Sequence, residues 1–92
     1  MGWVIKYHKN AKKFLKGLDE SRRNLILGKL DELKESLQEG VIPFKRLDIK
    51  KLKGKWDGLF RLRIGEFRVI FRINLSRKEV LVYHVNFRKK IY

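Results

Sequence analysis

The stretch LFRLRIGEFRVIFRI, residues 59–73, sets Arg61, Arg63, Arg68 and Arg72 among Phe60, Leu62, Ile64, Phe67, Val69 and Phe71. Arginine carries a planar, permanently charged fork that binds phosphate through two hydrogen bonds at once. Several such groups held together can stabilise the extra negative charge of a pentavalent phosphorus. The chemistry they suggest is recognition of, or transfer at, a phosphodiester, and it calls for no metal. Nearer the C-terminus, NFRKKIY adds Arg88, Lys89 and Lys90, with Phe87 and Tyr92 as rings on which an RNA base can stack.

Side chains alternate across a strand, so Arg61 and Arg63 must point away from Phe60, Leu62 and Ile64, and Arg68 and Arg72 away from Phe67, Val69 and Phe71. The spacing predicts strands over 59–64, 67–74 and 79–87, joined by turns at Gly65-Glu66 and at 75–78 into an antiparallel meander. One face is then core and the other cationic. An exposed sheet face is polar in any case, and arginine stems cover apolar surface. Yet no Asp or Glu stands beside these arginines within the two strands that carry them, Glu66 falling in the turn between, and like charges across a sheet repel. A polyanionic ligand would remove that repulsion.

The elements ahead of the meander must cover its apolar face. WVIKYHK alternates Trp3, Ile5 and Tyr7 with polar positions and reads as a strand. Asn10 reads as the N-cap of a short helix carrying Ala11, Phe14, Leu15 and Leu18. After Asp19 and Ser21, a second helix repeats Ile26, Leu30, Leu33 and Leu37 and stops at Gly40. Its charges suit a solvated face with pairs such as Asp31 with Lys34. Residues 41–58 hold the only proline and read as a loop or edge segment, where Lys51, Lys53 and Lys55 are candidates for contacts to an RNA backbone. Gly54 and Gly58 lack the spacing of a phosphate loop. The reading is an α+β fold in the order β-α-α-β-β-β, an antiparallel sheet with a helical hairpin packed on one face, as a single domain over 1–92.

The net charge of +14 is unevenly spread. Residues 41–92 hold fifteen Lys and Arg against four Asp and Glu, a surplus of eleven, whereas residues 1–40 hold nine against six. A field so one-sided attracts nucleic acid or an acidic protein segment. There is no cysteine, and His8 and His84 are the only histidines, so neither a metal site nor a cofactor is expected. His84 reads as a structural histidine within a strand and His8 as an edge position. No run approaches a membrane span, and no secretion signal opens the chain, so a cytoplasmic protein without membrane contact is expected.

The segment KLKGKWDGLFRLRIGEFRVIFRI, together with HVNFRKKIY, resembles the RelE/ParE toxin superfamily. That superfamily's pattern runs K-L-x-G, then Y/F-R-x-R-x-G-x-Y/F-R-V-I-Y, then V-G-x-R-x-x-x-Y. The resemblance implies a RelE-like fold over the whole chain. It also implies a toxin of a type II toxin-antitoxin system: a ribosome-dependent endoribonuclease that cuts mRNA in the A site, held inactive by a cognate RelB-like antitoxin. The RNA 2′-hydroxyl would attack the adjacent phosphate, leaving a 2′,3′-cyclic phosphate and a 5′-hydroxyl. Catalytic positions would fall on Arg61, Arg63, Arg68, Arg88 and Tyr92, with Tyr92 as base and Arg88 as charge stabiliser and proton donor. Many relatives carry Gly and often His before the last arginine; this chain has Asn86 and Phe87, which leaves no histidine there for proton transfer. Two other readings stand beside the nuclease: a ParE-like inhibitor of DNA gyrase, and a noncatalytic nucleic-acid-binding module.

Overall fold

Ile26, Leu30, Leu33 and Leu37 recur at helical spacing and are almost wholly buried, which fixes the inner side of a long helix. The computed structural model, which describes the backbone of residues 2–91 and the side chains of residues 2–89, places that helix, α2 (Glu20–Gln38), behind a strand β1 (Val4–Tyr7) and a short helix α1 (Lys9–Lys16). Asp19 caps α2, its carboxylate accepting from the Arg22 N–H at 3.2 Å. The cap of α1 is His8 rather than Asn10: Nδ1 of the imidazole accepts the Asn10 N–H at 3.2 Å. Histidine is an uncommon cap, so a reading from cap preferences passes over it. The surface pair on α2 forms between Lys29 and Glu32 at 3.3 Å, rather than between Asp31 and Lys34.

Gly28 lies in the middle of α2, and nothing approaches within 4 Å of the position a Cβ would take. Glycine there only adds backbone freedom to the unfolded chain. Gly28→Ala is expected to raise stability by about 0.5–1 kcal/mol, read from urea unfolding. A loss of stability would mean that the helix face around residue 28 is already occupied.

The strands are β2 (Ile49–Lys51), β3 (Phe60–Ile64), β4 (Phe67–Asn74) and β5 (Glu79–Phe87), and a last turn of helix, α3 (Arg88–Ile91), follows β5. The sheet order is β1-β5-β4-β3-β2. The meander β3-β4-β5 lies within one residue of the expected bounds, and Gly65, at φ 53°, takes the left-handed value that a tight primed turn needs at its first position. Two features differ from the reading of the sequence. The sheet has five strands, because three residues of the irregular 41–58 segment pair with β3, Ile49 opposite Leu62. It is also mixed, because the two helices carry the chain back so that β1 runs parallel to β5, Val4 opposite Glu79. A three-residue edge strand with one buried side chain leaves no legible period.

The Lys6 ammonium, 2.7 Å from the Glu79 carboxylate, ties β1 to β5. That hydrogen bond, together with the charges of Lys6 and Arg77, holds the Glu79 carboxyl below its ordinary range. A carboxyl lowered in the folded state contributes stability above its unfolded pKa and loses it as pH falls through the depressed value. Thermal unfolding should therefore show an acid-side loss that Glu79→Gln reduces; identical pH profiles would contradict this.

Both helices pack on one face of the sheet. Phe14 meets Phe67 and Phe87 edge-on, with centroids 6.2 and 5.7 Å apart, above a core that includes Leu62, Val69, Phe71, Val80 and Val82. No helix among the described residues is long and apolar enough to cross a membrane.

Candidate nucleic-acid interface

With the helices on the Phe67-Val69-Phe71 face, strand alternation turns the arginines to the other side. Register places them in rows. Arg63 stands opposite Arg68, and Arg68 opposite Asn86. In the next row Lys50, Arg61, Ile70 and His84 follow one another across β2 to β5. Arg72 opposite Leu81 forms a third.

The five expected catalytic positions do not share one environment. Arg61 is only 6% exposed, and its Nη2 donates to Asp48 Oδ1 at 3.0 Å. Asp48 reaches it from the bend before β2, in a left-handed conformation at φ 52°. Arg63 is drawn toward the same carboxylate, with Nε 3.9 Å from Oδ2, while about a third of its side chain stays open to solvent. Arg61 is thus held inside the sheet as an ion pair, and Arg63 is divided between Asp48 and solvent.

Arg68 and Arg88 meet in a cleft of about 660 Å³ that Glu66, Phe87 and Lys89 also line. The Arg88 N–H donates to the Glu66 carbonyl at 2.8 Å, which fastens α3 to the β3-β4 turn and brings Arg88 beside Arg68. The Glu66 carboxylate lies 3.5 Å from Nη1 of Arg22 on α2, so the one acidic group among the described residues of the cleft is partly neutralised from the helix side. Guanidinium groups converging on a concave surface can bind a phosphodiester in two-point fashion and stabilise added charge on it. Tyr92 lies outside the described residues, as does the side chain of Lys90.

The remaining candidates separate. The Phe87 ring stacks on Phe67 with centroids 5.3 Å apart, so much of it serves the core while the rest forms cleft wall. Lys51, Lys53 and Lys55 are exposed along the β2 edge, and Lys55 Nζ sits 5.9 Å above the Trp56 ring. Lys51 stands opposite Phe60, on the helix-side face, whereas Lys50 stands opposite Arg61 and shares the arginine face. The sequence reading passed over Lys50, because its face follows from a register that no local pattern announces. His84 is exposed on the arginine face rather than packed as a structural histidine. No group of three or more His, Cys, Asp or Glu among the described residues is placed to hold a metal ion.

Comparison with known proteins gives matches over nearly the whole chain. Residues 5–92 match a family model described as the ParE toxin of type II toxin-antitoxin systems, parDE. A Methanocaldococcus jannaschii protein named as the toxin RelE1 is 35% identical over 92 residues, spanning 100% of this chain and 97% of that protein. The toxin of the archaeal RelE-RelB complex from Pyrococcus horikoshii superposes with a TM-score of 0.78 at 28% identity, over 98% of this chain and 99% of that one. The isolated Escherichia coli RelE toxin superposes with a TM-score of 0.71 at 18% identity, over 92% of this chain and 83% of that one, a likeness of fold.

Proposed function

This chain belongs to the ParE toxin family of type II toxin-antitoxin systems, within the RelE/ParE superfamily, and from that premise we propose that it is an mRNA-cleaving toxin acting in the ribosomal A site. The observation that carries the reading is that Arg68 and Arg88 line one cleft at the end of the sheet beside the β3-β4 turn, with Arg63 opposite Arg68. In the proposed reaction the 2′-hydroxyl attacks the neighbouring phosphorus while Arg68 and Arg88 take up the charge that builds on the equatorial oxygens. The P–O5′ bond breaks, giving a 2′,3′-cyclic phosphate and a 5′-hydroxyl. Tyr92 is the proposed base, since cations such as Arg88, Lys89 and Lys90, which precede it closely in the sequence, favour a phenolate, and Arg88 the proposed proton donor to the leaving oxygen. Neither arginine nor tyrosine titrates near neutrality, so such a site is slow alone and gains from a ribosome that orients the message. No step requires a metal ion, and the place of action is the cytoplasm, with the ribosomes. Arg61, bound to Asp48, acts in this scheme by setting the position of β2 against β3.

The partner we propose is a RelB-like antitoxin whose acidic or amphipathic segment covers the cationic half; the solved relatives include RelE-RelB complexes. The family model itself carries the name of ParE, and that favours gyrase inhibition as a second reading. One experiment separates the two. Purified protein is added to ribosomes translating a defined message and, in parallel, to a gyrase supercoiling reaction. Message fragments ending in 2′,3′-cyclic phosphate with gyrase unaffected support the nuclease; intact message with stalled gyrase complexes supports the alternative.

A further inference from the structure

A second cleft, of about 720 Å³, is lined by His8, Trp56, Asp57, Arg72, Tyr83 and His84 among others. It has its own structural cause. In β5, Tyr83 is an extra residue: Ile70 stands opposite His84 while Phe71 stands opposite Val82. Such bulges bend a strand and re-aim its side chains. The His8 N–H donates to the Val82 carbonyl at 2.8 Å, which brings the His8 ring to 6.5 Å from that of Tyr83. Across β4, Gly58 at φ 90° lets the turn carrying Trp56 and Asp57 form the far wall.

The groups collected there suit one kind of ligand. Arg72 is exposed and forms no salt bridge with any described residue, so its guanidinium can take a phosphate. The imidazoles and the Tyr83 hydroxyl add donors, and the Tyr83 and histidine rings offer walls for a base. Among the described residues of the cleft Asp57 is the one carboxylate, placed to accept from a base N–H as acidic side chains do from amino groups of bases. An acidic peptide would be repelled by Asp57 and would leave the ring walls unused.

Arg72 shares its face with Arg68, four residues along β4 or about 14 Å at ~3.4 Å per residue. A stacked single strand rises about 3.4 Å per nucleotide and an extended one roughly twice that, so the gap is about two extended nucleotides. We propose that this cleft binds one nucleotide, base and phosphate, of the same RNA strand whose scissile phosphate lies at Arg68 and Arg88. The inference rests on the RNA-cleaving reading and adds to it a site that selects bases away from the cut.

The test uses the full chain and a 2′-O-methyl hexanucleotide, which lacks the attacking hydroxyl and stays intact, scanned with an abasic residue at each position by fluorescence anisotropy. One interior abasic position should weaken binding to the natural protein by about tenfold. The Arg72→Ala/His84→Ala variant, altered at two exposed positions and checked by thermal unfolding, should bind all six abasic forms alike. A flat scan with the natural protein, or a position effect that survives in the variant, overturns the proposal. So does a variant that loses affinity for an acidic antitoxin-derived peptide but keeps its RNA binding, which would make the cleft a peptide site. Competition by a free nucleoside monophosphate as strong as that by the hexanucleotide would make it a free-nucleotide site instead. Failure of the nuclease reading is separate: the natural protein would leave ribosome-bound message uncut, whatever the abasic scan shows.

Discussion

Arg68→Ala is expected to slow cleavage of ribosome-bound message by about 10²–10³-fold, the loss typical of removing one preorganised donor from a site of developing charge. The folded state should survive. Arg68 stands opposite Arg63 on the helix-free sheet face, where like charges repel, and Phe67, Val69 and Phe71, which belong to the core under the helices, lie on the other side. Single-turnover cleavage at saturating protein separates the chemical step from ribosome binding, and thermal unfolding monitors the fold. Arg88→Ala should behave in the same way, with a non-additive double variant if both arginines hold one phosphate. A loss of less than about threefold, or one that tracks a fall in melting temperature, would remove Arg68 from the chemistry.

The second large effect falls on stability. Asp48 is the carboxylate that accompanies the buried Arg61 guanidinium at 3.0 Å. Removing one partner of a fully buried pair costs about 3–5 kcal/mol, because the other charge is left in the interior. Asp48 itself is about half exposed, so water enters the account and Asp48→Asn should lose about 1–2 kcal/mol. Asp48→Ala should lose roughly 1 kcal/mol more, since alanine tolerates the φ of 52° less well than asparagine does. Urea unfolding of both variants measures the two components apart. Combining Asp48→Asn with Arg61→Leu, which removes the buried charge together with the carboxylate and places an apolar side chain opposite Ile70, should recover part of the loss. Equal stability of Asp48→Asn and the natural protein would show that the pair holds nothing in place.

The arginine pattern was legible because a meander has a strict period of two. Once Phe67, Val69 and Phe71 are core, Arg68 and Arg72 have one direction left. The helical hairpin was legible for the corresponding reason at a period of 3.6, through Ile26, Leu30, Leu33 and Leu37. The strand at 49–51 was not, because one buried residue in three carries no period. Nor was the parallel seating of β1 beside β5, which is a long-range pairing that local sequence does not encode. At the site, the sequence gathered Arg61, Arg63, Arg68 and Arg88 by charge and by family likeness. It had no means of seeing that Asp48, thirteen residues from Arg61 along the chain, would draw Arg61 inside. The bulge at Tyr83, which brings His84 and His8 into a second cleft, follows from ladder register and so was equally hidden.

The central claim is that the helix-free sheet face presents guanidinium groups to a phosphodiester, with Arg61 withheld by its carboxylate. The most direct measurement follows the arginine side-chain Nε–H resonances by NMR as a non-cleavable 2′-O-methyl RNA is added. Resonances of Arg63, Arg68 and Arg88 should move together in a saturable manner while that of Arg61 stays in place. Saturable binding that shifts Arg61 and leaves Arg68 and Arg88 untouched, or that shifts only residues on α1 and α2, would contradict the account.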